Sequence, residues 1–255
     1  MKDGATVYQY QDLTRDEVAQ VAPEAVVVFP TSSTEQHGPH LAVRVDALLV
    51  GEVVRRAMEQ IEISRPVVLL PSLVFGASDH HRPWAGVLSL NLDTYMRVVR
   101  DICESLALNG FRRVLLVNGH GGNDAPNIVA ARDVVNRFDI RIDAHSYWDI
   151  NREALLALTP AEFGNVPGHA SDFETSCVLA ADPDVVRPDF EALIRGAMES
   201  MGGSEDPAYG IAGPAGGPTL GISDDSSHAN AEIGKALLAR AGQSLAEYIG
   251  REFGG

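Results

Sequence analysis

The sequence has few of the features that place a protein in a membrane or outside the cell. Only two cysteines occur in 255 residues. Cys103 and Cys177 lie in apolar helical patterns, where a buried thiol is the ordinary state, so we predict neither a disulfide nor a cysteine metal ligand. No apolar run approaches the roughly eighteen residues of a membrane helix, and the amino terminus lacks a charged and then apolar signal pattern. We therefore expect no membrane span and a cytoplasmic location.

Basic residues are also scarce. The chain has 20 Lys and Arg against 35 Asp and Glu, for a net charge of −15. Because no Lys/Arg cluster is longer than a pair, the chain lacks the basic stripe that neutralises phosphates, and we predict no nucleic-acid partner. Apolar residues make up 45% of the chain, which is enough for a substantial core. The length agrees with a single domain over residues 1–255.

Short apolar runs alternate with amphipathic helical patterns along the chain. The pattern predicts strands at 25–29, 66–71, 113–117 and 140–144, a short helix opened by Thr14 and Glu17, and further helices at 46–60, 93–109, 124–137 and 229–249. Continuous apolar strands separated by helices indicate a mostly parallel sheet covered on both faces. We therefore predict an α/β fold with three α/β/α layers. The glycine- and proline-rich segment 202–225 is a predicted loop, either a linker or a flap or subunit contact.

Polar side chains follow two of these predicted strands. Glu35 and His37 come shortly after the first strand, and their spacing lets both side chains leave the same face of an extended segment. Asp46 follows nine residues after His37. His120 lies in a glycine-rich turn after the strand at 113–117, which leaves its ring uncrowded. Since ligands of parallel sheets bind beyond the carboxyl ends of the strands, this pattern predicts a site for divalent metal ions there.

A third polar block contains His169 and Glu174. Ser171 has the position of a helix N-cap, and Glu174 follows three residues later, which is also the spacing of a capping box. Metal ligation and helix capping therefore remain two open interpretations of Glu174.

These blocks resemble the creatininase family of metal-dependent amidohydrolases. The resemblance rests on Glu-x-His-Gly-Pro-His at 35–40 with Asp46, on Asn-Gly-His-Gly-Gly-Asn at 118–123, and on His-Ala-x-x-x-Glu-Thr-Ser at 169–176. A weaker block covers 76–90. In order and spacing the blocks span about residues 25 to 180. The chain is closer to the family members with His-Gly-Gly-Asn than to creatininase itself, because creatinine-hydrolysing members have glutamate at the position of Gly122.

The resemblance implies two divalent ions per chain, which are zinc, manganese or iron. It also implies which residues bind each ion. The implied ligand set is Glu35 and His120 for one ion, His37 for the other, Asp46 bridging both, and Glu174 as the best candidate to complete the second. Two such ions supply a hydroxide that attacks an amide carbonyl. The candidate catalytic residues are His169, as proton donor to the leaving nitrogen, and Glu174. A structural role for His169 is the alternative.

The same resemblance suggests further expectations. His80, His81 and Trp84 are expected to shape the substrate pocket, and His40 is expected to orient a ligating residue. The expected activity is hydrolysis of a carbon–nitrogen bond other than a peptide bond, in a small cyclic amide, linear amide or formamide. The alternatives are a peptide-cleaving maturation enzyme of mycofactocin-like type and a metal-binding scaffold without activity. The family also implies a homo-oligomer, a hexamer.

Overall fold

The computed structural model describes residues 6–200, 222–223 and 225–254. The described elements are, in chain order, β1 Val7–Gln9, α1 Arg15–Val21, β2 Val26–Thr31, α2 Val45–Gln60, β3 Val67–Leu69, α3 Leu92–Leu108, β4 Arg113–Asn118, α4 Asp124–Val135, β5 Arg141–Ser146, α5 Arg152–Leu156, α6 Asp172–Ala181, α7 Phe190–Ser200 and α8 Ala231–Phe253. The predicted loop 202–225 lies almost entirely outside the described residues. No helix in the described ranges is long and apolar enough to cross a membrane.

The strands form one parallel sheet in the order β1-β3-β2-β4-β5. The prediction of an α/β fold with a mostly parallel sheet is confirmed. The strands β2 and β4 are central, and all six residues of β2 are buried. Such strands need apolar side chains on both faces because helices cover both.

Alternate residues of the central strands pack into two separate cores. Val28 and Leu115 face the layer of α2, α6 and α8. Their neighbours Phe29 and Leu116 face the layer of α3 and α4 on the opposite side. The period of two in a strand produces this division, and the predicted three-layer arrangement is confirmed.

Two local features fix the first helix and the contact between two later helices. Thr14 caps α1, and Glu17 returns the reciprocal bond, as the capping-box spacing predicts. The contact between α6 and α8 depends on Gly234, because a Cβ there would overlap the backbone of Ser176 and Cys177. Only glycine lets the two helices approach this closely.

A row of polar side chains ties the strands together at their carboxyl ends. Thr31, Asn118 and Ser146 are aligned across β2, β4 and β5. The Thr31 hydroxyl donates to Asn118 Oδ1 at 3.2 Å, and Asn118 Nδ2 donates to Ser146 Oγ at 2.9 Å. The loops that leave this edge therefore begin from fixed positions.

Candidate metal centre

Six acidic and imidazole side chains meet beyond the carboxyl ends of β2 and β4. They are Glu35 and His37 in the loop after β2, Asp46 in the first turn of α2, His120 after β4, and His169 and Glu174 at the start of α6. Each residue is at most 7% exposed. The structure thus brings together all five predicted metal-ligating side chains and the predicted proton donor.

Asp46 lies between two groups of potential ligands. Its Oδ2 is 3.2 Å from His120 Nδ1, which is also 3.3 Å from Glu35 Oε2. Its other oxygen, Oδ1, is 3.1 Å from His37 Nε2, and that nitrogen is 3.7 Å from Glu174 Oε2. Both groups, Glu35–Asp46–His120 and His37–Asp46–Glu174, have the spacing of a metal site. One carboxylate is thus shared by two groups of three potential ligands.

The two imidazoles are held in the orientation that metal ligands require. The second ring nitrogen of each faces a backbone carbonyl: His37 Nδ1 lies 3.2 Å from Glu35 O, and His120 Nε2 lies 3.1 Å from Ala77 O. Donating to that carbonyl fixes the tautomer and aims the other nitrogen at the carboxylates. His37 Nε2 and Asp46 Oδ2 are buried and have no hydrogen-bond partner among the described residues. His37 Nε2 belongs to the group with Glu174 and Asp46 Oδ2 to the group with His120, so a cation in each group would satisfy one of these atoms.

The charges of the cluster also match a cation. Three buried carboxylates converge, and no lysine or arginine is among the described residues that line the cavity. Burial opposes protonation of His37, but Asp46 and Glu174 outweigh it and raise the pKa of His37 to about 9. Burial likewise opposes protonation of His120, yet Glu35 and Asp46 raise its pKa well above the usual value. These raised pKa values mark positions where the carboxylates favour positive charge, so the donor set suits divalent ions.

The Glu174 carboxylate belongs to one of the ligand groups and also accepts a hydrogen bond from the backbone just before helix α6. Ser171 is the N-cap and accepts a hydrogen bond from Glu174 N at 3.3 Å. The Glu174 carboxylate, however, accepts from Ala170 N at 2.6 Å instead of from the N-cap amide. Burial raises the pKa of Glu174 to about 8, although His37 opposes that shift. Both interpretations of Glu174 thus have a structural basis.

Gln36 orients two of the histidines, a role that the sequence did not reveal. Its Oε1 accepts from Gly38 N at 2.8 Å, which leaves its Nε2 to donate to His81 Nδ1 and His169 Nε2, each at 3.0 Å. The neutral rings must then carry their protons on His81 Nε2 and His169 Nδ1. Both of these nitrogens face Glu35 Oε1, at 3.4 and 3.5 Å. His169 can also belong to a third potential ligand group, with Glu35 and His37.

Burial keeps these two rings neutral. Burial lowers the pKa of His81 to about 4, and burial with the nearby His37 and His81 lowers the pKa of His169 well below its usual value. The rings of His81 and His169 stack with their centroids 4.1 Å apart. His169 therefore lies beside the cluster as a neutral group with its proton directed toward Glu35.

Gly122 lies where the resemblance places a glutamate in creatinine-hydrolysing members. A Cβ at this position would overlap Ala77 O, come within 2.5 Å of His120 Nε2 and lie 3.0 Å from His80 Cε1. The space beside His120 is thus occupied by His80, whose ring is stacked on that of His120. Ser78, just before His80, helps to hold Glu35 in place, because its hydroxyl donates to Glu35 Oε2.

Two of the three predicted pocket residues line a cavity beside the ligand groups, and the third does not. His80 and His81 line the small cavity above the cluster, which has a volume of about 40 Å³. Trp84 is half-buried and is not among the described residues that line this cavity, whereas Trp148 lines it. A substrate contact by Trp84 stays a prediction without support from this cavity.

His40 lies outside the three ligand groups. Its Nε2 is 2.9 Å from the hydroxyl of Thr175, the residue after Glu174. Burial and the neighbouring His37 lower its pKa to about 4. The ring thus contacts α6 through Thr175, and its expected role of orienting a ligating residue stays a prediction.

The fold and the cluster define an α/β protein with a candidate metal centre at the carboxyl edge of its sheet. A sequence model of creatininase, described as creatinine amidohydrolase, matches residues 11–249. Creatinine amidohydrolase of Pseudomonas putida is 30% identical over 254 residues, covering 93% of each chain. The chain belongs to the creatininase family, whose members include amidohydrolases acting on carbon–nitrogen bonds.

Other relatives and solved structures agree with this assignment. Mycofactocin precursor peptide peptidase of Mycolicibacterium smegmatis is 30% identical over 228 residues, which cover 89% of this chain and 85% of that protein. A structure described as creatininase with Mn has a TM-score of 0.79 at 27% identity, covering 98% of this chain and 100% of the other. A creatininase variant of Zn-Zn type has a TM-score of 0.77 at 28% identity, covering 97% and 98%. Creatininases similar to this chain thus carry zinc or manganese.

Proposed function

We propose that this protein is a metal-dependent amidohydrolase that hydrolyses a carbon–nitrogen bond of a small amide or formamide. The observation that carries the proposal is the carboxylate of Asp46, shared between two groups of three potential ligands. Glu35, Asp46 and His120 would hold one divalent ion, and His37, Asp46 and Glu174 would hold the second. Such a pair of ions lowers the pKa of a water molecule and polarises a carbonyl.

The protein's own residues supply position and a proton. The backbone carbonyls that face His37 and His120 hold these rings toward the carboxylates. His169 is the proposed proton shuttle to the leaving nitrogen: its resting ring is neutral, with Nε2 engaged by Gln36 and the Nδ1 proton facing Glu35, so it would take up the proton that the attacking water loses before it donates one. Ligation of a metal by His169 is the competing role.

A second candidate is cleavage of a short peptide. It is favoured by the similarity to mycofactocin precursor peptide peptidase. Peptide cleavage needs room for chain on both sides of the scissile bond, whereas a small amide needs room on one side at most. The cytoplasmic location, the single domain over residues 1–255 and the hexamer stay predictions.

The test is a hydrolysis screen of the purified protein after loading with zinc or manganese. Lactams, formamides, linear amides and short peptides are compared, with release of the amine as the measurement. We expect turnover of at least one non-peptide amide, lost on treatment with a chelator and restored by metal. Turnover of peptides alone would favour the second candidate, and turnover of none would contradict both.

The His169→Ala variant tests the proton donor in the same assay. Loss of a general acid should lower kcat by about 10²- to 10⁴-fold while metal content is kept. Amides with better leaving groups should lose less, because their nitrogen needs the proton less. An equal loss on all amides, or a loss of metal, would make His169 a structural or ligating residue.

A further inference from the structure

The cavity above the metal cluster is too small to contain a whole substrate. Its volume is about 40 Å³, whereas one water needs about 10–15 Å³ and typical ligand pockets have about 300–1,000 Å³. The cavity can thus accept a water and the reacting amide group. The remainder of any larger substrate must lie outside it.

A larger groove adjoins this cavity. It has a volume of about 400 Å³ and lies between the residues that follow β5 and the segment 164–168. The two spaces share Gly121, Trp148, Pro167 and Gly168 in their walls. Trp148 is only 6% exposed, so its ring is a fixed part of the shared wall. The groove therefore begins beside the cavity, on the side that these four residues form.

The far wall of the groove combines apolar and acidic groups. Leu156, at the end of α5, is 45% exposed and lines it. Asp124 and Asp149 contribute two carboxyls against the one guanidinium of Arg152. Arg152 is already engaged, since it donates to Val166 O at 2.7 Å and lies 3.3 Å from Asp149 Oδ1. The groove therefore offers apolar contact and no excess of positive charge.

We infer that this groove binds the remote part of the substrate, which is a linear amide or formamide with an extended neutral or cationic chain. The inference rests on the proposed function, because it names the substrate class of that same site. A compact cyclic amide would leave the groove empty and would gain nothing from its apolar wall. A chain ending in a carboxylate would find the one guanidinium of the groove, Arg152, already paired with Asp149, so it should bind less well.

Binding of hydroxamates to the metal-loaded protein tests the groove without requiring turnover, because a hydroxamate chelates metal in place of the amide. Acetohydroxamate, hexanohydroxamate, 6-aminohexanohydroxamate and the matching chain with a terminal carboxylate are compared by calorimetry. Each buried methylene contributes about fourfold in affinity. We expect the neutral and amino chains to bind at least about tenfold more tightly than acetohydroxamate, and the carboxylate chain to bind more weakly than either.

Two substitutions show whether the gain comes from this groove. Leu156→Trp should fill it and reduce the ratio of extended to short affinities to near one. Leu158→Trp is the matched control, since Leu158 is 43% exposed nearby but does not line the groove, and it should leave the ratio unchanged. An unchanged ratio in Leu156→Trp, equal binding of short and extended chains, or absence of binding would overturn the inference. The hydrolysis screen decides the proposed function separately.

Discussion

Replacing Glu174 by glutamine separates its two structural roles. Glu174 Oε2 accepts from Ala170 N at 2.6 Å and lies 3.7 Å from His37 Nε2. Glutamine keeps an oxygen that can accept from Ala170, but it removes the negative charge. In the presence of a chelator we expect Glu174→Gln to be nearly as stable as the wild type, since burial already disfavours that charge. Glu174→Ala leaves the Ala170 amide without this acceptor, at a cost of about 1–3 kcal/mol.

When metal is bound, the negative charge of Glu174 should matter more to stability than its hydrogen bond to Ala170. At a metal concentration of about 100 times Kd, binding stabilises the folded protein by about 2.7 kcal/mol. Loss of a ligating carboxylate should weaken the second ion by at least the roughly 10- to 100-fold that follows loss of an outer partner. A hundredfold loss reduces the gain to about 0.4 kcal/mol. The metal-dependent rise in Tm should therefore be smaller in Glu174→Gln by about 5–10 °C.

Thermal unfolding followed by circular dichroism, with chelator and with zinc, measures this difference. Glu232→Gln is the matched control, because Glu232 is an exposed acid in the first turn of α8 and lies outside the metal groups. Equal metal-dependent shifts in the wild type and in Glu174→Gln, with a loss in Glu174→Ala under chelator, would show that Glu174 only caps the helix.

Three further predictions concern the same region. Asp46→Ala should lose both ions and His37→Ala mainly one, as measured by elemental analysis; two tightly held ions in Asp46→Ala would refute the shared ligand. Gly122→Ala should lower both Tm and metal affinity, because its Cβ would overlap Ala77 O; unchanged values would refute the steric argument. The buried His40 has a pKa of about 4 in the folded protein, below its usual 6.5. The unfolded chain therefore binds the proton more tightly, and stability that is complete above pH 6.5 falls toward pH 4 by up to about 3 kcal/mol. Urea titrations of His40→Gln should show a shallower fall, and an identical slope would contradict this origin.

The sequence predicted the central elements because their signals are local. The apolar run at 113–117 and the helical pattern at 93–109 differ by about one residue from β4 and α3. The strand β1 was not predicted, since its three residues Val7–Gln9 show no apolar run and pair with β3 through the backbone. The helices α5 and α7 were also missed. Such elements depend on tertiary contacts that no short window of sequence contains.

Site residues that belong to a sequence motif could be predicted. Site residues whose position depends on the course of a loop could not. Alternation in an extended segment placed Glu35 and His37 on one face and gave no role to Gln36 between them. The segment is not a regular strand, and Gln36 turns inward to the histidines as well. Trp84 and Trp148 both follow strands, and only the course of their loops determines that Trp148 lines the cavity.

Anomalous diffraction from crystals loaded with zinc would show directly whether Asp46 is shared by two ions. We predict two peaks about 3.5–4 Å apart, one on each side of the Asp46 carboxylate. Glu35 and His120 should contact one peak, and His37 and Glu174 should contact the other. A single peak, or two peaks that do not share Asp46, would contradict a two-metal hydrolase site in this protein.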